Sequence, residues 1–318
     1  MMKTKNNRLK LMILAYAVVF VILYVVIYVV PQVSGIFVET YTAEYGILEV
    51  SQNSSFIAVR NEKLYVSDNS GAVSRAAAAG KLVRRNSHIA DVGSTRYYCQ
   101  KRGLVSYFYD GLEEVYTPEN MQTITEKNLE LSDEEKQSYE VKECSEGSVQ
   151  RGVPIFKIVD NNDWYLVCWI DSAEAESWNE GSSITVEFED TTRVKMKISQ
   201  KNRQGQKVQL ILSCNRYYEK FDKIRMGSCK LIKTSKSGII LETDSITEKD
   251  GQKGVYVKSK RLDRASFVPV KVLLTNGDKT VVEKNFFNDE EGNQVETVEN
   301  YDEILKQPET AETTKGSE

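Results

Sequence analysis

Few side chains in this sequence are of the types that carry out chemistry, and their spacing narrows what is open to them. His88 is the only histidine, flanked by Ser87 and Ile89. A general base needs a nucleophile and an orienting group beside it, so the expected reading of His88 is a structural or solvated side chain. The five cysteines, Cys99, Cys144, Cys168, Cys214 and Cys229, are odd in number, far apart and without a C-x-x-C, which gives neither a zinc signature nor a disulfide framework. Cys168 lies in an apolar run and reads as core. Acidic clusters at Asp133-Glu134-Glu135, Glu187 to Asp190 and Asp289-Glu290-Glu291 lack the alternating oxygen spacing of a calcium loop, so they read as solvated surface. Asp110-Gly111-Leu112-Glu113-Glu114 is the most tempting polar site, although Asp-Gly is also a common turn pair. Aromatic runs stand at Tyr97-Tyr98 and Tyr107-Phe108-Tyr109, on either side of residues 99–106. Tyr-rich surfaces favour protein contacts, and Tyr97, Tyr98, Tyr107, Phe108, Tyr109 and Asp110 are the candidate interaction site. Half-buried strand residues are the competing reading. No catalytic group, cofactor or metal is expected.

The elements that must carry these residues start with a hydrophobic run. Four basic residues (Lys3, Lys5, Arg8, Lys10) precede twenty uncharged residues at 11–30, and a helix of that length spans the roughly 30 Å hydrocarbon core. A cleaved signal peptide is the alternative, but the run exceeds the usual h-region of roughly 7–15 residues and no A-x-A-like site follows. The basic flank predicts a cytoplasmic amino terminus and a single-pass protein of the cell membrane, held by lipid contacts through 11–30, with an extracytoplasmic body. An exported compartment permits a disulfide without requiring one. The chain has 42 Lys and Arg against 46 Asp and Glu. With the four amino-terminal cations set aside, the rest is net acidic, which excludes nucleic acid as an expected partner because phosphate binding needs a basic surface.

Past residue 38 short β-branched and aromatic runs dominate, separated by Gly, Asn and Asp. Ile184 to Phe188 is one. Val194, Met196 and Ile198 alternate with Lys195 and Lys197, and Val208, Leu210 and Leu212 alternate less cleanly with Gln209 and Ile211. Phe267 to Leu274 and Thr280 to Lys284 flank Thr275-Asn276-Gly277-Asp278, where Asn-Gly suggests a type I′ hairpin turn. The fold class is therefore mainly β, made of small barrels or sandwiches. A short helical excursion is expected over 118–137, either one helix capped by Thr117 or two short helices, the second started by the Ser132–Glu135 capping box, on the surface and not in the core. The tail 306–318 reads as disordered.

An internal echo organises the middle of the chain. Gly71-Ala72-Val73-Ser74 recurs as Gly103-Leu104-Val105-Ser106. The first copy is followed by Gly80-Lys81-Leu82-Val83 and Ile89-Ala90-Asp91-Val92, and the second runs through Asp110-Gly111-Leu112-Glu113 to Gly152-Val153-Pro154-Ile155-Phe156-Lys157-Ile158-Val159. This resembles the two biotinyl/lipoyl-like half-motifs of HlyD-type membrane fusion proteins, the periplasmic adaptor family. Trp164-Tyr165-Leu166-Val167, Gly181 with Ile184 to Phe188, Gly254-Val255-Tyr256-Val257 and Phe267-Val268-Pro269-Val270 follow the order of that family's β-barrel and membrane-proximal domains. The closing Tyr301-Asp302-Glu303-Ile304-Leu305 resembles versions from Gram-positive, clostridium-like bacteria.

The resemblance implies a lipoyl-like barrel-sandwich hybrid at 53–160, a β-barrel at 161–235 and a membrane-proximal β domain from 33–52 plus 236–305. It also implies an efflux or secretion transporter of the ABC or RND type as partner, and assembly into a homo-oligomeric ring. Two departures matter. Members of the family usually insert a long helical hairpin between the half-motifs, and here 93–102 is too short for two packed helices. The turns Ser67-Asp68-Asn69-Ser70 and Tyr109-Asp110-Gly111 also lack the lysine that carries a prosthetic arm in true lipoyl and biotinyl carriers. The missing hairpin leaves a second expectation open: a cell-envelope or division scaffold that keeps the adaptor β domains without transport activity.

Overall fold

The computed structural model describes residues 4–24, 39–216, 222–258 and 265–308. One helix opens the chain, Thr4–Tyr24. Its apolar part within the described residues, 11–24, rises only about 20 Å at the α-helical pitch, and no helix of the described residues is long and apolar enough to cross a membrane. The remainder of the expected 11–30 span lies outside the described residues. Beyond residue 38 the architecture is mainly β and divides into two compact units, Val50–Thr234 and Met1–Glu49 with Ser235–Glu318.

In Val50–Thr234 two sheets face each other. One is ordered Ser148–Val149, Gly71–Arg75, His88–Val92, Thr95–Tyr98. The other is ordered Leu82–Val83, Gly103–Ser106, the first half of Pro154–Asp171, and residues 62–66 of the long strand Glu44–Val66. Ile89, Val92, Val105, Ile155, Phe156 and Ile158 fill the space between them. The echo acquires a physical cause. A Cβ on Gly71 would sit 2.9 Å from the Gly93 nitrogen and one on Gly103 would sit 2.5 Å from the Val159 carbonyl oxygen, so each half needs glycine where its strand meets a neighbouring backbone.

The same unit then closes a six-stranded barrel. Pro154–Asp171 pairs through its second half with Lys207–Cys214, which pairs with Arg193–Gln204, then Ser183–Phe188, then Met226–Glu242, and Glu44–Val66 returns against both ends. Val194, Met196 and Ile198 point into this barrel with Leu166, Ile170, Leu210 and Leu231, as their alternation predicts. Val208–Leu212 alternates poorly because both of its faces are covered: Ile211 packs on the outside with Ile57, Val59, Val167 and Trp169. Cys168 and Cys229 share the barrel interior, their thiols within hydrogen-bonding reach, and burial pushes the Cys168 thiol well up. All five cysteines are free and buried.

The segment expected as a surface helix over 118–137 differs. It holds 3₁₀ turns at Met121–Thr123 and Glu126–Leu129 and one short α-helix, Asp133–Ser138. Met121 and Ile124 are buried with Leu112 and Tyr116 against the outer face of the barrel. A continuous helix is prevented because the carbonyls of Met121 and Ile124 accept hydrogen bonds from Gln209 Nε2 (3.1 and 2.6 Å), and Ile124 also from Gln204 Nε2 (3.0 Å). The Ser132–Glu135 capping box forms as its spacing predicts.

The other unit, described by itself, pairs Thr40–Thr42 with Glu303–Leu305 and Gln252–Lys258 with Ala265–Pro269. Its core is Ala43, Ile239, Leu241, Val255, Val270, Val282, Val298 and Ile304. The Asn-Gly hairpin exists, between Val272–Asn276 and Lys279–Val282, but its two turn residues are Gly277 and Asp278. Gly277 takes the positive φ (57°) and Asp278 does not, which is the type II′ pattern in place of the expected type I′. Phe267 belongs to the separate strand Ala265–Pro269. Of the tail expected to be disordered, Lys306 pairs with Glu39, Nζ to Oε2 3.4 Å, and residues 309–318 lie outside the described residues.

Candidate functional site

Every charged side chain buried among the described residues belongs to one cluster: Arg60, Glu62, Asp110, Glu113, Lys157 and Arg225, each less than a tenth exposed. Three cations meet three anions. Arg60 and Glu62 stand two apart on Glu44–Val66, and Lys157 lies opposite Leu64 on the paired strand Pro154–Asp171. Asp110 and Glu113 flank a tight turn in which Gly111 adopts a positive φ of 81°. Leu112 N donates to Asp110 Oδ1 (2.9 Å), while Asp110 N and Gly111 N donate to the two Glu113 carboxylate oxygens (2.9 and 3.0 Å).

Arg225 is the hub. Its Nε donates to Asp110 Oδ2 at 2.9 Å, its Nη2 to Asp110 Oδ1 at 3.2 Å and to Glu62, and its Nη1 to the Ala58 carbonyl at 3.1 Å. Lys157 Nζ bridges Glu62 Oε2 (2.8 Å) and Glu113 Oε1 (3.5 Å). Arg60 Nη1 donates to the Ile224 carbonyl at 2.6 Å, and its Nε lies 3.4 Å from Glu62. Burial alone would raise the Glu62 carboxyl, but Arg60, Arg225 and Lys157 outweigh it and hold that group below the usual carboxylate range. Burial opposes the Arg225 charge, and Glu62 and Asp110 more than restore it. Arg60 goes the other way, lowered by burial and by the charge of Arg225. Removing ions from water costs several kcal/mol each and is repaid only by close, well-directed partners. The cluster therefore fixes one arrangement of the 107–116 segment, the hybrid sheet and the barrel strand. It offers no nucleophile with a base.

Of the sequence-predicted site residues, the structure brings Asp110 into this cluster and buries it. Tyr97 and Tyr107 are also buried: Tyr97 Oη accepts from Asp68 N (2.7 Å), and Tyr107 Oη donates to the Ala77 carbonyl (2.6 Å). Phe108 and Tyr109 are half-buried, with Lys223 Nζ 4.2 Å from the Phe108 ring centre. Tyr98 is exposed beside His88, ring centres 5.5 Å apart. His88 Nε2 lies 2.8 Å from Asp91 Oδ1. Sequence reasoning missed Arg60, Glu62, Lys157 and Arg225. A signal existed for Lys157, which interrupts Ile155-Phe156-Lys157-Ile158-Val159, a run that admits a charge only with a partner waiting for it.

A second feature is a tight turn where the resemblance implies a long helical hairpin. His88–Val92 and Thr95–Tyr98 form a hairpin with Asp91 opposite Arg96 and Val92 opposite Thr95, closed by Gly93 and Ser94 alone. Gly93 carries φ 59° at the first turn position. Four of the ten residues in the expected 93–102 linker, Thr95–Tyr98, are thus strand. An open recess of about 320 Å³ beside the 107–147 segment is bounded by Leu112, Leu131, Tyr139, Lys223, Ile224 and Met226. Among the described residues no three His, Cys, Asp or Glu side chains converge to hold a metal ion.

Two protein families match this chain. Residues 62–160 match the RND-related barrel-sandwich hybrid domain and residues 164–235 the RND-related β-barrel domain. No curated protein matches it. Among solved structures, MacA from Actinobacillus actinomycetemcomitans is 10% identical over 85% of this chain and 99% of its own, with a TM-score of 0.33. ZneB from Cupriavidus metallidurans is 8% identical over 85% and 92%, TM-score 0.27. The membrane fusion protein Spr0693 from Streptococcus pneumoniae R6 is 9% identical over 59% and 100%, TM-score 0.26. At these TM-scores the structural likenesses add nothing to what the two domain families establish. Adaptors of this kind are non-enzymatic. With its hybrid domain followed directly by its barrel, the chain belongs to the membrane fusion (adaptor) proteins.

Proposed function

We propose that this chain is a membrane-anchored, extracytoplasmic adaptor that associates with an efflux or secretion transporter of the ABC or RND type and assembles as a homo-oligomer. The observation that carries the reading is the RND-related domain pair over 62–235. The basic flank and the apolar run 11–30 supply the reading of a single-pass anchor with a cytoplasmic amino terminus. The division into a hybrid domain (53–160), a barrel (161–235) and a membrane-proximal domain (33–52 plus 236–305) belongs to the same proposal. So does a contact surface for the partner, reduced by burial to Tyr98, Phe108 and Tyr109. Crosslinking in intact cells followed by purification of the full chain tests it. A transporter recovered with the chain, and an export defect on deletion, are expected; neither appearing sinks it.

The two-residue turn at Gly93 and Ser94 favours a second reading, a cell-envelope or division scaffold built on adaptor domains, because the arm that reaches onward is not at that turn. Fluorescent fusions separate the two: a septal signal without an export phenotype favours the scaffold.

A further inference from the structure

Four of the large apolar side chains exposed in the Met1–Glu49/Ser235–Glu318 unit lie around one corner. Tyr45 (49% exposed) and Ile47 (63%) stand two apart on Glu44–Val66 and so share a face. Lys284 Nζ sits 4.7 Å from the Tyr45 ring centre, and Phe286 (53%) follows on the same turn, its N donating to the Lys284 carbonyl at 2.7 Å. Tyr45 N donates to Asn300 Oδ1 at 2.8 Å, which brings in Tyr301 (63%). Tyr301 holds a φ of 71°, a strained conformation for a bulky residue that persists only where the surroundings impose it. Here Tyr301 N donates to Ala43 O (2.7 Å) and Ala43 N to Asp302 O (2.8 Å). The backbone is locked while the ring is turned outward.

We propose that Tyr45, Ile47, Phe286 and Tyr301, with Lys284, form a lipid-contacting patch that rests in the headgroup region of the bilayer holding the 11–30 anchor. This rests on the anchored reading proposed above. Tyrosine with an adjacent lysine is what an interface selects, because the ring and the lysine stem bury among acyl carbons while the hydroxyl and ammonium stay hydrated, and Phe286 and Ile47 add the purely apolar area that such elements bury. The tether fits. Eight residues, 31–38, separate the apolar run from Glu39 and reach at most about 29 Å, whereas Tyr45 lies six residues beyond Glu39, at most about 20 Å along a strand. Glu44, Glu283 and Glu299 flank the patch, so it has no excess of positive charge to draw anionic lipid. The contact is apolar and interfacial, and it needs no acidic headgroup.

The test uses the full chain in phosphatidylcholine nanodiscs. Single cysteines at Ile47→Cys and Phe286→Cys are labelled with a fluorophore. Gln252→Cys is the control, exposed at the far end of the strand Gln252–Lys258, about 17 Å along it from Val257, which pairs with Ile304. The native cysteines are buried, so their failure to label certifies the fold of each variant. Nitroxide lipid is expected to quench the first two labels several-fold more than the third, and aqueous iodide the reverse. Tyr45→Ser with Tyr301→Ser should reduce the lipid quenching at Phe286→Cys. Equal quenching at all three positions, in chain that stays with the discs through an alkaline wash, overturns the patch while leaving the anchor intact. Labels that are shielded only when a transporter is added overturn it in favour of a protein contact. Loss of the chain from the discs removes the anchored reading and the patch together.

Discussion

Arg225→Met tests the charge cluster most directly. The substitution keeps an unbranched apolar stem in place and deletes a guanidinium that donates to Asp110 twice, to Glu62 and to the Ala58 carbonyl. Two cations, Arg60 and Lys157, then face three buried carboxylates. Breaking a buried pair by removing one partner costs about 3–5 kcal/mol, against about 0–1 kcal/mol for an exposed bridge, and burial of all six side chains puts this site in the first class. The readout is urea unfolding of the full chain in detergent, followed by tryptophan emission; Trp164, Trp169 and Trp178 are all buried within Val50–Thr234. The loss should depend on pH with a definite sign. Glu62 is held below the usual range in the folded wild type, so its contribution is present above the unfolded value of about 4.3 and fades as the pH falls through the depressed one. In the variant Glu62 has lost a cation and takes up its proton at higher pH. The folded variant then binds more protons than the folded wild type, and the gap between the two narrows in acid. Arg225→Lys should fall between them, keeping the charge without the fork. A loss under about 1 kcal/mol at neutral pH, or a gap that widens in acid, refutes the reasoning.

Gly103→Ala should destabilise strongly, since its Cβ meets the Val159 carbonyl oxygen at 2.5 Å and Ile158 Cγ2 at 2.6 Å; thermal melting as stable as wild type would contradict the close approach proposed for the echo. Tyr107→Phe strands the buried Ala77 carbonyl and should cost about 1–3 kcal/mol in the same urea assay. Burial pushes the Cys144 thiol up to about 12, so maleimide at neutral pH should leave Cys144 unmodified until denaturant is added, and rapid labelling of the native chain would show that this burial is wrong.

Strand periodicity was legible wherever one face met water, as in Arg193–Gln204 with its alternating burial. It failed at Lys207–Cys214 because that strand is covered on both sides. The helical excursion was misread for a related reason: Met121 and Ile124 look too sparse to build a core, yet they complete one supplied by Ile57, Val167 and Ile211, far away in sequence. Caps act over three residues, so the Ser132–Glu135 box could be read from spacing. Charge pairing acts across more than a hundred residues, as between Asp110 and Arg225. Each member of the cluster except Lys157, which breaks an apolar run, therefore looks alone like an ordinary surface residue. Asp110 was noticed for its turn and not for its partner.

The turn at Gly93 and Ser94 bears on how such chains diversify. Val92 and Thr95 are already paired when the chain reverses, and the turn glycine has no atom within 4 Å of an added Cβ nearer than the tip of Asn69. Gly93 itself is held, its N donating to the Ala72 carbonyl at 2.9 Å and standing 2.9 Å from where a Cβ on Gly71 would sit. The hairpin is thus complete with two residues of turn, and lengthening it at Ser94 stays a local change as long as Gly93 keeps its contact with Ala72.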